Sequence, residues 1–186
     1  MQQRNAPVHC FDTLETRSPE AREAALMAAL PAQIAHARKN APGFARILAD
    51  VEPATVNSRQ ALAKLPVTRK SGLGDLQKAM PPLGGLNATP VAKMAKLFVS
   101  PGPICEPEGA ADDWWRTARA LHAAGLRAGD LVVNTLAYHF VPAGSMFESG
   151  AKAIGCTVVP AGTGQTEMQV STIHDLRISS YVGTPS

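Results

Sequence analysis

The chain has 186 residues, 45% of them hydrophobic and 18% charged, with a formal net charge of +3. That balance describes a folded, water-facing protein with enough apolar mass for a core, and it excludes disordered and fibrous classes. Lys and Arg are scattered, so the clustered basic footprint of a nucleic-acid binder is missing, and no apolar run approaches the about 20 residues that span a bilayer. The residues before Pro7 lack the apolar centre of a signal peptide. Three separated cysteines, Cys10, Cys105 and Cys156, point to reduced thiols and a cytoplasmic location.

Ser18 followed by Pro19 has the form of a helix start, and an Ala-rich helix is predicted from there to about Lys39. Leu26, Leu30 and Ile34 share one of its faces, and Pro31 bends or divides it. Further helices are predicted over 42–50 and 57–64, with Thr68 capping a fourth. The first 90 residues read as a mostly helical region. Beyond Pro81-Pro82-Leu83-Gly84-Gly85 the apolar period shortens, and strands are predicted at 94–99, 131–136, 156–160 and 180–183. Helices are predicted between them over 112–124, 142–154 and 166–176. The expected fold class is therefore α/β: a helical N-terminal region, then residues 91–186 as a parallel βαβαβαβ sheet with right-handed crossovers, ending mid-fold.

Ligands of an open parallel sheet bind outside the carboxyl ends of its strands. Four turns qualify. The first holds Ser100, Pro101, Gly102, Pro103 and Glu106. The second holds Tyr138, His139, Phe140, Ala143 and Gly144, and the third holds Gly162, Thr163, Gly164, Thr166 and Glu167. The last is Gly183-Thr184-Pro185-Ser186. Thr166 is expected to cap the following helix, with Glu167 in its first turn. Trp114-Trp115 is expected to serve packing. The histidines His9, His36, His122, His139 and His174 lack metal-site spacing, and no metal site is assigned. Gly144-Ser145-Met146 lacks the second glycine of a nucleophile elbow, which argues against a hydrolase.

Several ordered segments resemble the N-terminal part of adenylate-forming enzymes of the phenylacetate-CoA ligase kind. They are Asn40-Ala41-Pro42-Gly43-Phe44, Leu65-Pro66-Val67-Thr68-Arg69-Lys70, Pro82-Leu83-Gly84-Gly85-Leu86, residues 123–130, residues 150–160, Gly164-Gln165-Thr166-Glu167 and Thr184-Pro185-Ser186. The resemblance implies activation of an aryl or acyl carboxylate by ATP and Mg²⁺ to an acyl-adenylate, then transfer to coenzyme A. It also implies that Tyr138, His139 and Phe140 line the acyl pocket. The family's phosphate loop is rich in Ser, Thr and Gly and ends in Gly-Lys-Pro. Here the same place reads Ser100-Pro101-Gly102-Pro103-Ile104-Cys105-Glu106-Pro107, without the lysine and with an added carboxylate.

The implied remainder of such an enzyme lies downstream, so the chain is expected to be inactive alone and to self-associate through uncovered sheet surface. The alternative expectation is a noncatalytic module that binds an acyl ligand or assists assembly and has lost ATP chemistry.

Overall fold

A computed structural model describes residues 10–184. His9, Pro185 and Ser186, which entered the sequence reading, lie outside the described residues. The chain divides into two compact units, Arg17–Pro107 and Glu108–Ser186, the latter joined by the segment before Arg17.

The first unit opens with α1, Pro19–Asn40, whose first turn is capped by Ser18: its Oγ accepts the Ala21 N–H at 3.1 Å. Pro31 lies inside α1 and neither divides nor ends it. The predicted apolar stripe is also shifted. Ile34 is buried, but Leu26 is 54% exposed, and the side chains turned inward are Met27, Leu30, Ile34 and Ala37. These follow the 3.6-residue period one position away from Leu26. Ile34 joins Leu48 and Val56 in a small core, packed by Phe44, Ile47, Val51 and Leu65. Arg38 ties α1 to the next loop by donating to the carbonyls of Val51 and Ala49.

Three short helices follow: α2, Pro42–Ile47, α3, Arg59–Leu62, and α4, Leu73–Ala79. Ser58 caps α3 through the Ala61 N–H at 3.2 Å. Thr68 does not cap α4. A short 3₁₀ turn at Lys70–Gly72 intervenes, and α4 begins after Gly72 with no side-chain cap.

β1, Met94–Ser100, follows, and it pairs in a two-stranded sheet of its own with β2, Ile104–Gly109, whose last two residues are counted with the second unit. A three-residue connection forces the two strands antiparallel. This corrects the sequence reading twice: the strand at 94–99 does not belong to the parallel sheet, and residues 104–107, read as part of a turn, are a strand. The prediction failed because Pro101, Gly102 and Pro103 signal a turn but carry no signal of where the chain goes next.

The second unit contains β3, Leu131–Asn134, β4, Thr157–Pro160, and β5, Ser180–Val182, in a parallel three-stranded sheet of order β4-β3-β5. Its helices are α5, Ala118–Ala123, α6, Ala143–Ile154, and α7, Thr166–Asp175. β3 is central, so Val132 and Val133 are wholly buried. Val132 joins Leu121, Leu126, Ala151, Cys156 and Val182 in the core. A run of apolar β-branched residues covered on both faces is the expected signature of such a strand.

The helix predicted over 112–124 is half that length. Asp113 and Arg116 take left-handed φ values of 47° and 59°, which interrupts a helix. Asp113 Oδ1 instead accepts the N–H groups of Thr117 at 2.8 Å and Ala118 at 3.1 Å. The Asp side chain thereby caps α5 from outside the helix.

Candidate functional site

In the second unit, three of the four predicted turns converge on the carboxyl end of β3. Thr135 N–H donates to Val182 O at 2.8 Å and Gly162 N–H donates to Asn134 O at 3.0 Å, which draws the ends of β5 and β4 onto β3. The Thr135 hydroxyl reaches Tyr181 Oη at 3.0 Å and Val182 O at 3.1 Å. Gly183 lies against these hydroxyls so closely that a Cβ there would overlap both.

Asn134 organises the largest turn. Wholly buried, it donates through Nδ2 to Tyr138 Oη at 2.9 Å and to Gly144 O at 2.8 Å, while its Oδ1 accepts the Leu136 N–H at 3.1 Å. Three hydrogen bonds satisfy a buried amide that would otherwise cost its desolvation. The Tyr138 ring lies flat on Gly144, where a Cβ would come within 2.7 Å of it. Burial and the nearby Glu148 carboxylate push the Tyr138 hydroxyl well above its ordinary pKa. Tyr138 is therefore a neutral, fixed wall that presents its ring and keeps its hydroxyl inside.

His139 and Phe140 sit at the tip of this turn. Phe140 is 79% exposed and holds a left-handed φ of 58°, an unusual conformation for a bulky residue. Ala143 opens α6, and Gly144 and Ser145 in its first turn are buried. Ser145 Oγ donates to Glu108 Oε2 at 2.5 Å, and Trp115 Nε1 donates to the same oxygen at 2.8 Å. Glu108 is itself buried. This anchor was absent from the sequence reading, and nothing in the spacing of Glu108, Trp115 and Ser145 announces it. Trp114 lays its ring over Gly109 although it is 40% exposed, and Trp115 is half-buried.

The turn after β4 needs its glycines: Gly162 and Gly164 have φ values of 67° and 87°. Gln169 Nε2 secures it by donating to Gly162 O at 2.6 Å. Thr163, Gly164, Thr166 and Glu167 are exposed. Thr166 is the first residue of α7 rather than its cap; the capping position is Gln165, without a side-chain hydrogen bond, and Glu167 lies in the first turn as predicted.

The turn at Ser100–Pro103 belongs to the other unit. Pro101 and Pro103 have no N–H to offer, and the Ser100 hydroxyl is spent on Ile104 O at 3.3 Å. Glu106 adds a negative charge on the following strand. This donor set does not fit a triphosphate. Among the described residues, no group of three His, Cys, Asp or Glu side chains is placed to hold a metal ion. No described helix is long and apolar enough to cross a membrane.

No family model matches the chain. Whole-sequence comparison finds phenylacetate-coenzyme A ligases: that of Aromatoleum evansii is 33% identical over 95% of this chain and 41% of its own length. The Pseudomonas putida enzyme is 32% identical over the same shares, and that of Thermus thermophilus is 32% identical over 93% and 40%. The chain is homologous to part of these ligases. It spans about two fifths of the length of each. The fold agrees: a 2-hydroxyisobutyryl-CoA ligase in the postadenylation state in complex with R3-HIB-AMP superposes with a TM-score of 0.87. That match covers 100% of this chain and 41% of that one at 23% identity. A second structure of that ligase, with 2-HIB-AMP and CoA in the thioesterification state, gives 0.80 over 91% and 38%.

Proposed function

We propose that this chain is the acid-binding portion of an AMP-forming carboxylate-CoA ligase of the phenylacetate-CoA ligase kind. The observation that carries the reading is the edge built around Asn134, within a chain similar to those ligases along 95% of its length. There, a fixed aromatic wall at Tyr138 stands beside the exposed His139 and Phe140, and the exposed Thr163 and Gly164 offer close approach to the turn after β4. A flat apolar acid stacks on such rings. Coenzyme A and ATP with Mg²⁺ enter the reading only through the ligases. The turn at 100–106 lacks the donors for a triphosphate, so no step through the nucleotide is assigned to residues of this chain. A cytoplasmic setting accords with the free thiols of Cys10, Cys105 and Cys156.

The same turn favours a second reading, a noncatalytic module that keeps the acid-binding edge without nucleotide chemistry. Thermal-shift titration of the chain with phenylacetate and a panel of other carboxylic acids, each with and without Mg-ATP, separates the two. The proposed role requires a saturable shift with at least one acid that Phe140→Ala removes. A further shift with Mg-ATP excludes the noncatalytic module and overturns the reading of the turn at 100–106, and an acid shift indifferent to Mg-ATP leaves this chain an acid-binding edge without nucleotide chemistry of its own. No acid shift on a cooperatively melting protein defeats both.

A further inference from the structure

The unit Arg17–Pro107 contains a cleft of about 410 Å³ that the proposed function leaves unused. Its floor is apolar, formed by Leu73, Leu83, Leu86 and Ile104, and Leu83 and Ile104 are buried. One wall is held rigid by Gln77, whose side-chain amide accepts the Cys105 N–H and donates to the Cys105 carbonyl, both at 2.8 Å. These two bonds reproduce what a neighbouring strand would give β2, so this wall is preformed. Lys70 and Glu106 also line the cleft, and neither makes an ion pair among the described residues, with each other or with another group. The unit is basic, with twelve Lys and Arg against six Asp and Glu.

We infer that this cleft binds a small zwitterion with an apolar side chain, of the class of the larger α-amino acids. Its carboxylate meets the Lys70 ammonium, its ammonium meets the Glu106 carboxylate, and its side chain covers the leucine floor. A simple acid leaves Glu106 facing another negative charge, and a simple amine leaves Lys70 facing another positive one; only a molecule carrying both charges satisfies both residues. The volume falls within the about 300–1,000 Å³ typical of small-molecule sites.

Cys105 lines the cleft and is partly exposed, which supplies a local readout. In a Cys10→Ser background, Cys156 is the other thiol, and burial pushes its pKa up and shields it from alkylation. The rate of Cys105 alkylation by iodoacetamide is followed by intact mass while L-phenylalanine is titrated, with 3-phenylpropionate and phenethylamine as single-charge analogues. L-phenylalanine is expected to protect Cys105 saturably. Each analogue, and each of Lys70→Ala and Glu106→Gln, should raise the half-protection concentration by about tenfold, the scale of one charge-assisted contact. Unchanged melting temperatures confirm that both variants are folded. Absence of protection overturns the inference. So does equal protection by 3-phenylpropionate with no effect of Glu106→Gln, which would make the cleft a plain anion site. Either failure leaves the acid-binding edge of the other unit unaffected.

Discussion

At Gly144 a single hydrogen atom decides the shape of the proposed acid pocket. The Tyr138 ring occupies the space that a Cβ would take, at 2.7 Å, a distance no carbon contact tolerates. Gly144→Ala should therefore displace the ring and break the bond from Asn134 to Tyr138, at a cost of about 1–3 kcal/mol. Chemical denaturation measures the loss, and a variant as stable as the parent would show that the ring is free to swing away. Asp12 offers a charge-based test. The Arg119 guanidinium hydrogen-bonds it at 2.5 Å and holds its carboxyl below the ordinary value. A depressed folded pKa contributes stability at pH values above the unfolded pKa of about 4 and loses it as pH falls through the folded value. Asp12→Asn should be less stable than the parent at pH 7, by at most about 1 kcal/mol for so exposed a pair. The two proteins should converge as pH falls through the depressed folded value. A constant difference across that range would remove the ion pair as its cause.

Among the elements, legibility follows how local the determinant is. The α1 start was readable because Ser18 and Pro19 act within one turn. The β3, β4 and β5 strands were readable because Val132-Val133, Val158-Val159 and Tyr181-Val182 form short apolar runs between turn residues. The pairing of β1 with β2, the Asp113 cap that shortens α5, and the Glu108 anchor were not readable. Each depends on which groups meet once the chain has folded. The candidate site divides in the same way: the turn positions were evident from the strand ends, whereas the three hydrogen bonds of the Asn134 amide that give the Tyr138 turn its form were not. The end of α6 carries a prediction of its own. Gly155 closes that helix with φ 98°, and the Cβ of any other residue would strain there. Gly155→Ala should cost about 1–2 kcal/mol, read as a lower melting temperature with helix content retained. A neutral result would mean that the α6 terminus relaxes to an ordinary φ without loss of packing.

For the molecule as a whole, the decisive fact is that similarity covers nearly all of this chain but about two fifths of the ligases. Among the described residues the parallel sheet has three strands, with β4 and β5 at its edges. Within the same unit, Met168 at 64%, Val170 at 62%, Leu176 at 51% and Tyr181 at 58% expose large apolar side chains on α7, just past its end and on β5. Open strand edges beside exposed apolar surface favour association between chains. Sedimentation velocity of the 186-residue chain should accordingly show weight-average mass rising with concentration. Replacing Met168 and Val170 with Lys should reduce that rise without lowering the melting temperature, since neither side chain contributes to the buried core. Tyr181 is a poorer target, because its hydroxyl meets Thr135 and its loss would disturb the acid-binding edge directly. A chain that stays monomeric at every concentration would show that α7 and the strand edges are adequately solvated as they stand. Association unaffected by the two lysines would instead place the contact away from these two positions of α7, leaving the open strand edges as the surface to alter next.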